Sequence, residues 1–108
     1  MIDSDIVILA TPVYWYAMSA QMKTFFDRFS DCVRVRKSLG RKLKGKQIYL
    51  VTTGTDKELP EGFEVPFKST CKYLDMIYKK GLYIYIEQDG IISKQEQAKA
   101  KHFSKQIL

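Results

Sequence analysis

The chain has 108 residues, of which 45% are hydrophobic and 28% are charged, and its formal net charge is +6 at pH 7. This length suits one domain, so we expect residues 1–108 to fold as a single unit, and the composition argues against a disordered or collagen-like chain. The longest uncharged stretch contains Pro12 and falls short of the ~20 residues that a membrane helix needs, which argues against a membrane partner.

The first predicted elements are a strand and a helix. Residues 5–10 form a short apolar, β-branched run without alternation, which is typical of a strand buried on both faces in a parallel sheet. The strand should end at Thr11 and Pro12, because proline cannot donate to a sheet ladder. Ser19 is a suitable N-cap for the helix that follows. The helix has one apolar stripe, formed by Met22, Phe25, Phe26, Phe29 and Val33.

A basic stretch follows this helix. Seven basic residues and no acidic ones lie from Arg34 to Lys46, and Gly40 and Gly45 within the stretch are typical turn residues. A solvated surface loop is the simplest interpretation, although such a stretch can attract a phosphate-bearing ligand by long-range electrostatics. A nucleic-acid site is disfavoured and we expect no such partner, because no aromatic residues are interleaved with the basic ones and no nucleic-acid-binding motif is present.

The rest of the chain continues the alternation of strands and helices. Residues 47–51 predict a second strand, which leads into a small polar loop at residues 52–56. A helix should cover roughly residues 64–76, with a proline in its first turn, and a third strand should cover residues 81–86. The last helix should begin with a capping box at Ser93. Its apolar face is formed by Ala100, Phe103 and Ile107.

The β-α-β-α-β-α order predicts an α/β fold with a parallel sheet. In open sheets of this kind, ligands bind outside the carboxyl ends of the strands. Residues 11–16 and 52–56 lie at those ends, so we expect the functional site between these two loops.

The cysteines and the N-terminus bear on the cellular location. Cys32 and Cys71 form no CxxC pair, and with a single histidine they make no zinc site, so we expect no metal. Asp3 and Asp5 lie where a secretion signal carries positive charge. We therefore expect a reduced, cytoplasmic protein.

The first loop is unusual because three consecutive aromatic residues, Tyr14, Trp15 and Tyr16, follow a strand. They cannot all point into one core, so at least one ring should be available to a flat ligand. The alternative is that these rings fill the space between the sheet and the first helix. The second loop, residues 52–55, combines hydroxyl groups with a glycine that allows close backbone approach to a ligand, although an ordinary exit from a strand uses the same residue types.

Residues 5–29 contain the segment DIVILATPVYW, followed by MSAQMK and FDRF. This combination resembles the NADPH-dependent FMN reductase family of the flavodoxin-like group, which has a Pro-x-Tyr-Trp/His loop after its third strand and a helix with Lys-x-Phe-x-Asp-Arg. The later elements occur in the same order, so the resemblance extends over essentially the whole chain. It implies a partial flavodoxin-like parallel sheet that corresponds to strands 3-4-5 of the family.

The resemblance implies an FMN-dependent NAD(P)H oxidoreductase that transfers hydride through the flavin to a quinone or flavin acceptor. No catalytic side chain is implied, because the cofactor carries the chemistry. Backbone N–H groups of the first loop would meet acceptor atoms of the FMN ring, and its side chains would wall the ring. Matched position by position, this loop is Thr11, Pro12, Val13, Tyr14 and Trp15. The loop at the edge of the ring or ribityl chain corresponds to Thr52, Thr53, Gly54 and Thr55.

The resemblance also implies that the first two β-α units of the family, with the loop that binds the FMN phosphate, are absent, so we expect an N-terminally truncated chain. Without the strand that pairs with strand three, residues 6–10 (Ile6 to Ala10) become an open apolar edge. We therefore expect impaired FMN binding and a homo-oligomer, such as a dimer, paired through this edge. The alternative to an enzyme is a non-catalytic fragment or an association module of the family.

Overall fold

The structure is a computed structural model that describes residues 3–107, and it contains three strands and five helices within that range. The strands are β1 (Ile6–Pro12), β2 (Gln47–Gly54) and β3 (Ile77–Tyr85). The helices are α1 (Ala20–Asp27), α2 (Phe29–Arg34), α3 (Lys37–Arg41), α4 (Val65–Tyr73) and α5 (Lys94–Ile107). The strands form one parallel sheet in the order β1-β2-β3, which confirms the predicted α/β fold class. None of the helices in residues 3–107 is long and apolar enough to cross a membrane.

β1 ends where the sequence predicts, whereas β3 begins earlier. β1 ends at Pro12, which pairs with Thr53, so the predicted end at Thr11 and Pro12 is confirmed. The N–H of Val13 donates to the Thr53 carbonyl at 2.8 Å, and by alternation the Pro12 nitrogen faces the open edge, where no donor is needed. β3 begins at Ile77, four residues earlier than predicted, and accommodates the extra residue Lys79 in its pairing with β2.

The helices on the first face of the sheet are shorter than the sequence pattern predicts. Ser19 is the N-cap of α1, as predicted, and its Oγ accepts a hydrogen bond from the Met22 N–H at 3.2 Å. The single predicted helix is divided at Arg28 into α1 and α2. α4 ends at Tyr73 rather than at residue 76, because Asp75 adopts a left-handed conformation (φ 57°) that turns the chain into β3. Pro66 lies in the first turn of α4, as predicted.

The basic stretch contains a short helix, α3, that the glycine-bounded turn prediction missed. α3 packs tightly against α2 at Gly40, where an added Cβ would lie 2.5 Å from the Cys32 carbonyl oxygen. Only a glycine allows the two helices to approach this closely.

The hydrophobic core lies between the sheet and α1, α2 and α4. The rings of Phe26 and Phe67 meet edge to face with centroids 5.2 Å apart, which joins α1 to α4. α5 covers the opposite face, where Phe103 packs edge to face against Tyr49 with centroids 5.8 Å apart. The buried residues of the main cluster are Leu9, Leu43, Ile48, Leu50, Phe63, Phe67, Cys71 and Met76.

β1 is covered on one face only within the described part of the chain. Leu9 is buried under the helices, whereas Ile6 is exposed and Ile8 is 52% exposed on the opposite face. The prediction that this strand is buried on both faces was therefore wrong. The reason is that α5 packs on β3 and on Tyr49 of β2. β1 also lies at the edge of the sheet, as predicted.

Candidate functional site

The parallel pairing of β1 and β2 brings the two predicted loops together at the carboxyl edge of the sheet. Thr11 pairs with Thr52, and Pro12 pairs with Thr53. Beyond these pairs, a cavity of about 170 Å³ lies between the loops. Its lining residues are Val13, Trp15, Tyr16, Gly54, Thr55, Asp56 and Tyr83.

Residues 14–17 form a tight two-residue turn, which we call the aromatic turn. The Tyr14 N–H donates to the Ala17 carbonyl at 2.8 Å, and the Ala17 N–H donates to the Tyr14 carbonyl at 3.0 Å. The central residues, Trp15 and Tyr16, have φ of 48° and 67°, as in type I′ turns. That conformation favours glycine or asparagine, and a bulky residue there costs about 1–2 kcal/mol.

The aromatic turn presents its rings to the outside of the molecule. The Trp15 side chain is 92% exposed, and Tyr14 and Tyr16 are also exposed. The rings are therefore exposed at the end of the strand, and the alternative that they fill the space between the sheet and the first helix is wrong. The sharp turn explains this exposure, because it folds the chain back before the helix begins.

Four backbone donors at the cavity have no hydrogen-bond partner among residues 3–107. The N–H groups of Trp15 and Tyr16 make no hydrogen bond to any residue that the structure describes, and the same is true of the N–H groups of Thr55 and Asp56. These donors are suited to bind carbonyl oxygens or ring nitrogens of a ligand. Together with the exposed rings, they fit a flat, acceptor-rich heterocycle.

Two of the predicted loop residues lie in the interior instead. The Thr11 hydroxyl accepts a hydrogen bond from the Ser19 N–H at 2.9 Å and donates to the Pro12 carbonyl at 3.0 Å, so it fixes the entry to α1. The Thr52 hydroxyl is buried and has no hydrogen-bond partner among residues 3–107. Of the nine residues predicted from the resemblance, the structure places Val13, Trp15, Gly54 and Thr55 at the cavity.

Three residues at the cavity were not predicted: Tyr16, Asp56 and Tyr83. Tyr83 lies on β3 opposite Thr52, and its hydroxyl donates to the Asp56 carbonyl. Burial raises the pKa of Tyr83, and the nearby Asp56 carboxylate raises it further. Gly54 makes room for this ring, since an added Cβ would lie 2.7 Å from the Tyr83 hydroxyl. The group that closely approaches Gly54 is therefore the Tyr83 ring.

The cavity is suited to binding a neutral ring rather than an anion or a metal ion. Asp56 is its acidic residue, and neither lysine nor arginine lines it. In residues 3–107, no group of three or more histidine, cysteine, aspartate or glutamate side chains could hold a metal ion.

Comparison with known protein sequences identifies relatives of this chain. The family described as NADPH-dependent FMN reductase matches residues 1–90. A Bacillus subtilis protein, YwqN, named as an NAD(P)H-dependent FMN-containing oxidoreductase, is 28% identical over 102 residues, which cover 91% of this chain and 56% of that protein. An FMN-dependent NADH:quinone oxidoreductase of Saccharophagus degradans is 30% identical over 106 residues, covering 91% of this chain and 49% of that protein. The chain therefore spans about half the length of the curated relatives that it matches.

Solved structures share the same fold. The Trp repressor binding protein from Bacillus subtilis superposes with a TM-score of 0.79 and 27% identity, over 92% of this chain and 62% of that chain. A WrbA-like flavodoxin from Agrobacterium tumefaciens superposes with a TM-score of 0.72 and 15% identity, over 94% of this chain and 62% of that chain. These likenesses confirm the predicted flavodoxin-like fold. With a family match over residues 1–90, the chain belongs to the NADPH-dependent FMN reductase family.

Proposed function

We propose that this chain provides the ring-binding edge of a cytoplasmic FMN-dependent oxidoreductase, which transfers hydride from NAD(P)H to a quinone or flavin acceptor. The observation that carries the proposal is the aromatic turn, whose exposed rings and unpaired N–H groups lie beside the loop at Gly54 and Thr55. Family membership supports the same assignment. The cytoplasmic location rests on the two cysteines, which are both free thiols.

The described residues fit the flavin ring. When bound, FMN supplies the hydride-accepting ring chemistry, so the protein needs no acid, base or nucleophile of its own. Trp15 and Tyr16 would stack against the ring and exclude water from one side. The N–H groups of the two loops would bind the carbonyl oxygens and ring nitrogens that lie at the ring's edge. His102 is exposed on α5, hydrogen-bonds to Gln106 and is not among the residues that line the cavity.

The same residues do not fit the phosphate of FMN, because none of the described residues that line the cavity is a cation. Hydrogen bonds to charged groups contribute about 1.5–3 kcal/mol each, so affinity should depend strongly on whether such donors are present. We therefore propose that these residues bind the ring with low affinity and that the phosphate adds little.

A flavin titration tests this proposal. Quenching of flavin fluorescence should saturate for both riboflavin and FMN, with affinities that agree within about threefold. Trp15→Ala should weaken binding by about 3- to 10-fold, since an aromatic contact contributes about 0.5–1.5 kcal/mol. The matched control is Val35→Ala, which removes an exposed apolar side chain between α2 and α3, outside the cavity lining, and should leave binding unchanged. If neither flavin is quenched, ring binding is refuted. If FMN binds much more tightly than riboflavin, the proposal that the phosphate adds little to the affinity is refuted.

We also propose a second function, association through β1. Its support is the position of β1 at the edge of the sheet and the exposure of Ile6 and Ile8 beside that edge. An apolar edge strand with unpaired backbone groups readily pairs with another strand. We propose that the occupant is a second copy of this chain, which makes a homodimer and would act as an association module even without flavin.

Light scattering during size-exclusion chromatography tests the dimer. The chain should elute as a dimer at micromolar concentration, and Ile8→Lys should convert it to a monomer by placing a charge on the edge. Val35→Lys is the matched control, because Val35 is also apolar and exposed but lies between α2 and α3. A monomeric parent chain would refute association, whatever the result of the flavin titration.

A further inference from the structure

We propose that a second site lies near the amino ends of the strands, at the opposite end of the sheet from the aromatic turn. This site binds a phosphate-bearing ligand with a flat ring, such as a nucleoside diphosphate. A cavity of about 530 Å³ lies there, between α2, α3 and the end of α4, and we call it the basic cavity. Its volume is within the usual range of small-molecule sites. The residues on which the proposal rests are Lys37, Arg41, Lys44 and Tyr73, which all line it.

The basic cavity is separate from the aromatic turn. Lys44 directly precedes the turn into β2, and Asp75 precedes β3, where its carbonyl accepts a hydrogen bond from the Gly45 N–H at 2.8 Å. The aromatic turn follows the opposite end of β1. The length of β2, at about 3.3 Å per residue, separates the amino and carboxyl ends of the sheet by roughly 26 Å. The second site is therefore independent of the proposed flavin site.

Helical spacing gathers three cations at this cavity. Lys37, Arg41 and Lys44 are four and three residues apart, so they share one face of α3 and the turn after it. Like charges at this spacing repel each other. None of the three forms an ion pair with any described residue, and although Asp75 also lines the cavity, it pairs with none of them. A bound anion would relieve this repulsion.

The chemistry of the lining favours a diphosphate over a carboxylate. Lys37, Arg41 and Lys44 together with Asp75 give the lining a formal charge of +2, which a diphosphate can match with charges on adjacent groups. The planar guanidinium of Arg41 matches phosphate oxygens in a bidentate way, and the lysines add point charges. The Tyr73 side chain is 73% exposed in the same cavity and offers a stacking surface for a base.

The wall of the cavity is fixed before any ligand binds. Gly40 holds α3 against α2, because its missing side chain leaves room for the Cys32 carbonyl. Both Gly40 and Cys32 line the cavity, so the cations are attached to a packed pair of helices. Preorganisation of this kind reduces the entropy that binding must overcome.

Calorimetric titration of the full chain with ADP tests the proposal. Lys37→Gln/Arg41→Gln should lower the affinity for ADP at least tenfold. The matched control is Arg36→Gln/Lys42→Gln, which removes the same charge from the same stretch at residues outside the cavity lining, and it should change the affinity less than twofold. Absence of ADP binding, or equal losses in the two variants, would overturn the proposal.

Two further sets of measurements identify the class of ligand. Pyrophosphate should bind more weakly than ADP, and Tyr73→Leu should abolish that difference; equal affinities in the parent chain would refute the ring contact. Tighter binding to a single-stranded oligonucleotide or to phosphatidylglycerol vesicles than to ADP would overturn the proposal in favour of a polyanion surface. Quenching of riboflavin, which carries no phosphate, should be unchanged in Lys37→Gln/Arg41→Gln, so that failure at one site is distinguishable from failure at the other.

Discussion

The aromatic turn stores backbone strain, and replacing Tyr16 by glycine should release it. Tyr16 has a φ of 67°. A side chain in the left-handed region costs about 1–2 kcal/mol, whereas glycine avoids this cost but loses about 0.5–1 kcal/mol through the larger entropy of the unfolded chain. Because the Tyr16 ring is exposed, little packing is lost. We expect Tyr16→Gly to raise the free energy of unfolding by about 0.5–1 kcal/mol, the difference between these two terms.

Tyr14→Gly is the matched control for this prediction. Tyr14 is an exposed aromatic residue of the same turn, but its φ is not positive. Its replacement should therefore lower the free energy of unfolding by about 0.5–1 kcal/mol, so the two variants should change stability in opposite directions. Urea unfolding followed by circular dichroism at one fixed protein concentration measures both changes. Equal destabilisation by the two substitutions would refute the argument that the turn is strained.

Three further predictions concern the interior and the cavity. Thr52→Val should raise the free energy of unfolding by about 1 kcal/mol, because the hydroxyl is buried without a described partner, and a loss of stability in urea would show that it has one. Burial raises the pKa of Cys71 from its usual 9.0 to about 11, so stability that is present below pH 9 should be lost as the pH rises towards 11. The difference in free energy of unfolding between the parent chain and Cys71→Ala, measured in urea, should therefore change with pH, and a constant difference would contradict the prediction. Gly54→Ala should displace the Tyr83 hydroxyl and lower the free energy of unfolding by about 1 kcal/mol through the lost hydrogen bond. In a double-mutant cycle, Gly54→Ala should cost much less in the Tyr83→Phe background, and additive effects would refute the contact.

The existence and order of the elements could be predicted because hydrophobic periodicity and β-branched runs reflect burial directly. Their boundaries depended on tertiary hydrogen bonding. β3 begins earlier than predicted because the Ile77 N–H donates to the Lys46 carbonyl, a pairing that requires the register to be known. α3 was missed because its stability depends on the contact between Gly40 and Cys32, two residues that local propensity treats independently.

The two loops of the candidate site were predictable from strand direction, but the residues that reach the cavity were only partly so. Side chains two residues apart in a strand lie on the same face, so Thr11 shares the buried face of Leu9, and Thr52 shares that of Leu50. This alternation could have predicted from the sequence that both threonines are buried. Tyr83 is different. Its contact with the second loop depends on the pairing of β3 with β2, which includes an irregularity that no local pattern indicates.

β1 combines two features that are otherwise unrelated: one side of the strand has no neighbour in the described chain, and its carboxyl end runs directly into the aromatic turn. A second polypeptide that paired along the strand would come to lie beside the turn. Thermodynamic reciprocity would then apply, because a flavin that prefers the assembled form must promote assembly to the same degree that assembly tightens its binding. Dilution of the protein would then weaken flavin binding.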